Sequence, residues 1–264
     1  MDFNLIVERF NYGKDFSEFL REIYLELVKY YGNEQLVFSA LYNTNIVSVN
    51  NVYDFLKSAN MLEEYDAMVT ADDLKKSAGV YHSVPQIVFN EQKNTYEITK
   101  INRIVAVVNL DLTKTHSKAT LIHEICHLIK SYNNEYVIDG NKLISASGLI
   151  ESVHELSHDG AKVNKKLVKE VGVGLEEGLN SVAEEEITRN IVDPEFKPSG
   201  YITVNQIAKN LLSIENMKEI IVNAQIYHDK SEIYNQLGDN YFNLEEITDS
   251  VYVAYLDIFK NMFD

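Results

Sequence analysis

An α+β fold follows from the order in which hydrophobic periodicity changes along the chain. Apolar residues recur at helical spacing up to about residue 66, two β-rich runs occupy about 79–112, and helical spacing returns from about 174 onward. With 264 residues, 45% of them hydrophobic, the chain can bury a large core and fits one big domain or a domain with a lobe.

The first helical stretch contains "DFSEFLREIYLELVKYYG", whose apolar residues fall three and four apart before Gly32, and "SVNNVYDFLKSANMLEEY", which repeats the pattern. These define a helical N-terminal lobe over 1–70. Next, "VYHSVPQIVF" and "TYEITKINRIVAVVNLDL" are rich in β-branched and aromatic residues and flank the polar "NEQKN", predicting two strands. In "EYVIDGNKLISAS", Asp139-Gly140 suits the positive φ of a tight turn and predicts a second hairpin over 135–147. The second unit thus spans 71–264: a small, mainly antiparallel sheet with an intervening helix to about 172, then a helical C-terminal lobe. Only three prolines and no low-complexity tract interrupt this order, so no linker is marked.

A net charge of −16 argues against nucleic acid or an anionic membrane surface as the main partner. The N-terminus lacks a basic stretch followed by a long apolar one, and no run is apolar enough to span a bilayer. The single cysteine, Cys126, cannot form an internal disulfide, and the expected compartment is the reducing cytoplasm.

Two segments carry the string His-Glu-x-x-His: "HEICH" at 123–127 and "HELSH" at 154–158. On a helix this spacing puts two imidazoles on one face, one turn apart, with a carboxylate beside them, as in a zinc site with its general base. Around the first motif, Leu121, Ile122, Ile125, Cys126, Leu128 and Ile129 leave one polar stripe of Thr120, His123, Glu124, His127 and Ser131. Polar groups on so buried a helix need partners, and a metal supplies them. The second motif has one narrow apolar side and a stop at Asp159-Gly160, the pattern of a solvated helix face. In its favour, eighteen residues separate His158 from Glu177, an interval like that of aminopeptidase N. The first motif is preferred because "RIVAVVNLDL" and a Ser/Thr-rich connection lead into it, giving strand, cap and helix.

A catalytic zinc takes three protein ligands and leaves a position for water. The remaining histidines, His82, His116 and His228, are isolated, whereas "VGVGLEEGLNSVAEEEITRN" offers five glutamates. Glu177, Ser181 and Glu184 share a helix face, while Glu184 to Glu186 read as a solvated run. Glu177 is the preferred third ligand because Gly178 beside it lets another helix approach closely.

"HEICH" followed by "LEEGLNS" resembles the gluzincins, metallopeptidases related to thermolysin and aminopeptidase N. The resemblance covers these motifs and the strand before them, about a quarter of the chain. It implies a zincin-like fold, Zn2+ on His123, His127 and Glu177, and Glu124 as the general base that activates water against a peptide bond. It also implies that the strand ahead of the metal helix, within 104–112, pairs with an extended peptide or protein substrate, and that a C-terminal Tyr or His, Tyr201 or His228, stabilises the oxyanion. Two features depart from the family: forty-nine residues lie between His127 and Glu177, which implies an inserted hairpin, and Glu176 stands where Asn is common, which leaves it as a rival ligand. The alternatives are a non-catalytic zincin that binds a regulatory partner, and a metal-dependent amidase acting on a non-peptide substrate.

Overall fold

The computed structural model describes residues 1–10, 13–59, 61, 71–160, 162–198 and 200–263, and it is α+β with small, largely antiparallel sheets. The N-terminal region begins with α1 (Asn4–Val7), α2 (Lys14–Tyr31) and α3 (Glu34–Tyr42). In α2, Phe16, Phe19, Leu20, Ile23, Tyr24 and Leu27 recur at helical spacing and are buried. The helix ends at Gly32, whose φ of 66° is the left-handed C-cap conformation. Asn33 then caps α3 by accepting from the Leu36 amide at 2.9 Å.

The expected run of helices is interrupted by β1 (Asn45–Val49), before α4 (Val52–Ser58) and α5 (Ala71–Lys76). "NIVSV" is too short and too β-branched to continue a helix, and it pairs in parallel with β3 (Thr95–Val108). The N-terminal region therefore contributes a strand to the first sheet. The end of the expected helical stretch, 62–66, and the boundary at 70 lie outside the described residues.

β3 and β2 (Gly79–Asn90) form the expected hairpin, and the sheet order is β1-β3-β2. Next comes α6 (Thr115–Ser131), the helix of the first motif. A four-stranded antiparallel meander follows, β4 (Glu135–Asp139), β5 (Lys142–Ser147), β6 (Ile150–Asp159) and β7 (Lys162–Val171). Its first two strands are the expected hairpin. Its third corrects the sequence reading: "HELSH" lies on a strand, with Ser152 and Leu156 turned inward at period two.

The C-terminal part is helical as expected: α7 (Val173–Ile191), α8 (Ile202–Leu212), α9 (Met217–Tyr227), α10 (Ser231–Leu237) and α11 (Asn240–Phe263). Among the described residues, no helix is long and apolar enough to cross a membrane.

Two cores hold the site from opposite sides. In one, α1–α3 pack with Val105 and Val107 of β3, with Leu121, Ile125 and Leu128 of α6, and with Ala183 and Ile187 of α7. In the other, Leu175 and Leu179 of α7 meet Ala208, Leu211, Ile221, Ile233 and Tyr241 from the later helices. Deleting a side chain of this kind typically costs about 2–5 kcal/mol. Helix α7 belongs to both cores, so its position against α6 is strongly determined.

Candidate metal centre

Helix α6 is apolar on all sides but one, and that side meets α7. His123 and His127 sit one turn apart on it, and Glu177 reaches them from α7. The Nε2 atoms of the histidines are 3.2 Å apart, His127 Nε2 is 3.4 Å from Glu177 Oε1, and His123 Nε2 is 3.7 Å from Glu177 Oε2. Among the described residues these three are the group whose ligating atoms converge, all within 4.8 Å.

The donor set fits a metal ion. Ligands about 2.0–2.2 Å from a tetrahedral zinc stand roughly 3.3–3.6 Å from one another, close to the three observed separations. Glu177 Oε2 is buried without a hydrogen-bond partner, and 3.7 Å to His123 is too long to count as one. A cation between the three would satisfy that oxygen and both facing nitrogens.

The orientation of His123 is set from behind. Its Nδ1 is 3.0 Å from Glu184 Oε2, and donation there leaves the Nε2 lone pair free for a cation. Asn180 donates to the His123 carbonyl at 3.1 Å. Glu184, read from sequence as solvated, is thus a partner of the site; it stands seven residues, two helical turns, beyond Glu177, and that interval was the available signal. Its neighbour Glu185 is buried against Lys209 and Arg189.

The charges are strongly coupled. Burial opposes protonation of His123, yet the Glu177 and Glu184 carboxylates that face its two ring nitrogens outweigh this and hold its pKa well above the ordinary value. Burial likewise opposes ionisation of Glu177, but the His127 charge and both imidazoles hold its carboxyl far below the usual range. Glu124, beside them and buried, has its pKa raised, chiefly by desolvation; the histidine charges and the Tyr81 amide pull the other way.

Strand β2 lies against this carboxylate because residue 79 is glycine. A Cβ there would stand 2.8 Å from Thr120 Cγ2 and 3.0 Å from Glu124 Cγ, so any larger residue would push the strand off the helix. Strand β3, within which a substrate-pairing strand was expected, is instead central and paired on both sides. Val108 donates to the Ala78 carbonyl, and the antiparallel alternation then directs the backbone groups of Gly79, Tyr81 and Ser83 away from β3, where the Gly79 carbonyl accepts from Ser77, the Tyr81 amide donates to Glu124 and the Ser83 carbonyl accepts from Tyr136.

The other expected residues separate clearly. Glu176 points away from the centre: it pairs with Lys130, accepts from both Gln225 (3.0 and 3.1 Å) and the Leu149 amide, and is no ligand rival. Tyr201 faces the centre, its ring nearly parallel to that of His123 with centroids 6.3 Å apart. Burial, then the Glu177 charge, holds its phenol protonated far above the ordinary pKa. His228 is taken up structurally, between the Gly148 and Asn133 carbonyls at 3.1 Å each.

His154 and His158 stand four residues apart on β6, about 13 Å along a strand, and so cannot share one ion. His158 stacks on Phe89 at 3.5 Å and shares a 3.0 Å hydrogen bond with Tyr96, tying the meander to the first sheet.

The chain matches no family model, no curated protein and no solved structure, so the centre stands on its own geometry.

Proposed function

We propose that the chain is a metallohydrolase of the His-Glu-x-x-His type. Within that class it is a zinc-dependent peptidase whose site follows the gluzincin plan. The reading rests on one observation: three converging donors, His123, His127 and Glu177, with a buried carboxylate of raised pKa one residue from the first of them.

Zinc on this donor set supplies Lewis acidity and lowers the pKa of water toward neutrality. Glu124 takes the proton from the water that attacks the scissile carbonyl and passes it to the leaving amine. Its raised pKa brings it nearer the working pH, where a base of this kind is most effective. Tyr201, kept protonated, donates to the carbonyl oxygen as that atom gains charge. The substrate on this reading is an extended peptide or protein laid across the centre beside Tyr201. Cys126, the single cysteine and a buried one, favours the reducing cytoplasm as the place of action.

The test is metal analysis of the purified protein together with a peptide-library digest, for wild type and Glu124→Gln. Stoichiometric zinc in both, and a loss of about 10²–10⁴ in hydrolysis in the variant, are expected. Full activity in Glu124→Gln would remove that residue's role. Bound zinc without cleavage by wild type would favour the non-catalytic binding role.

A further inference from the structure

A cavity of about 420 Å3 lies between the start of α8 and the middle of α11, lined by Tyr201, Val204, Val251, Tyr252, Ala254 and Tyr255 among others. Its volume falls in the range of small-molecule pockets, and its walls are almost wholly aliphatic or aromatic. Tyr201 is shared: one side of its ring faces His123, and the ring also packs near Tyr252 and Tyr255, at centroid distances of 5.7 and 5.3 Å. The cavity therefore opens beside the metal centre with a single aromatic ring between them.

Both walls are fastened to the helix that carries Glu177. On one side, Gly178 lets α8 approach until its Cβ position would stand 2.5 Å from the Val204 carbonyl, and Asn205 donates to Ser181 at 3.0 Å. On the other, Asp249 of α11 accepts from the Gly172 and Gly174 amides at 2.9 and 2.7 Å. The distance from Glu177 to the cavity is thus fixed by packing. Tyr201 also adopts a φ of 56°, a left-handed conformation uncommon for a bulky residue, which turns the chain into α8 at this point.

We propose that this cavity is the specificity subsite, receiving a large apolar or aromatic side chain of a residue flanking the scissile bond. The inference rests on the peptidase reading, and it adds the class of side chain selected and the residues that select it. An apolar lining gains from desolvating such a side chain, while a charged one would lose its hydration without a partner.

Two measurements separate the inference from the reading it rests on. The first compares kcat/KM for peptides differing only in Phe, Leu, Ala or Asp beside the cleaved bond, using wild type and Ala254→Phe, which fills the cavity from an exposed helix position. Wild type should prefer Phe or Leu over Ala by at least about tenfold, and the ratio should collapse in the variant, with zinc content and melting temperature unchanged. Cleavage without side-chain preference, or a preference that Ala254→Phe leaves intact, overturns the subsite while the peptidase stands. The second measurement needs no turnover: tyrosine fluorescence, in a chain without tryptophan, follows binding of the Phe peptide to Glu124→Gln, with and without Ala254→Phe. If wild type cleaves nothing, the peptidase reading falls, and binding lost on filling the cavity still supports an apolar-side-chain site. Binding that is absent or indifferent to the filling overturns it.

Discussion

The same five-letter pattern occurs twice within forty residues and does two different things. In α6 it lies on a helix, where a four-residue step returns to the same face and brings two imidazole nitrogens to 3.2 Å. In β6 it lies on a strand, where the same step carries the second histidine far from the first and into a stack with Phe89. The chemistry of a motif thus belongs to the residues together with the backbone period that carries them.

The contrast can be broken most directly by removing ligands. His123→Ala, His127→Ala or Glu177→Ala should each abolish stoichiometric zinc, because two remaining protein donors hold the ion far more weakly. His154→Ala and His158→Ala should leave zinc content unchanged. In the latter, loss of the ring contact with Phe89 should cost about 0.5–1.5 kcal/mol, read by denaturant unfolding. Zinc lost from His158→Ala and kept in His127→Ala would reverse the assignment of the two motifs.

A subtler change sharpens the account of α6. Glu184 touches no ligand oxygen or ligating nitrogen, yet it orients His123 through Nδ1. Glu184→Ala should weaken zinc binding by about 10–100-fold while retaining a stoichiometric site at saturating metal. Competition against a chelator measures this, and an affinity equal to that of wild type would show the contact to be incidental.

The smallest expected effect is in the pH dependence of the metal-free protein. His123 has a raised pKa in the folded state, so its contribution is full below its ordinary value of 6.5 and is lost as pH rises toward the raised one. Glu177 is depressed, so its contribution is full above its ordinary value of 4.5 and is lost as pH falls. Chelated protein should therefore draw most stability from this cluster between pH 4.5 and 6.5 and melt progressively lower above that window. Thermal melts across pH 5–9 of chelated wild type and His123→Ala check this, and parallel curves would sink the coupling.

What the sequence disclosed was periodic. The polar stripe of α6 was legible because it interrupts an otherwise buried helix, and Glu177 because Gly178 next to it signalled a close neighbour, which proved to be α8. Three features were not legible, for separate reasons. β1 is five residues between helices, and the residues it pairs with lie 59 positions further on, Asn45 opposite Ile104. β6 holds His154, Leu156 and His158 at a period of two, but Val153 and Leu156 also fit a helical step, and over so short a run the two cannot be told apart. Glu184 to Glu186 look alike in sequence, whereas in space the first orients His123, the second is buried against two cations, and the third pairs with Lys218 at the surface.

The ion pair between Lys130 and Glu176 joins α6 to α7 a single turn from the metal centre, and both side chains are almost wholly buried. The two helices that carry the ligands are thus riveted together by a bond the metal does not make. An ion taken up at His123, His127 and Glu177, as proposed, would meet two helices already joined. Two helices joined in this way keep His123, His127 and Glu177 facing one another whatever stands between them.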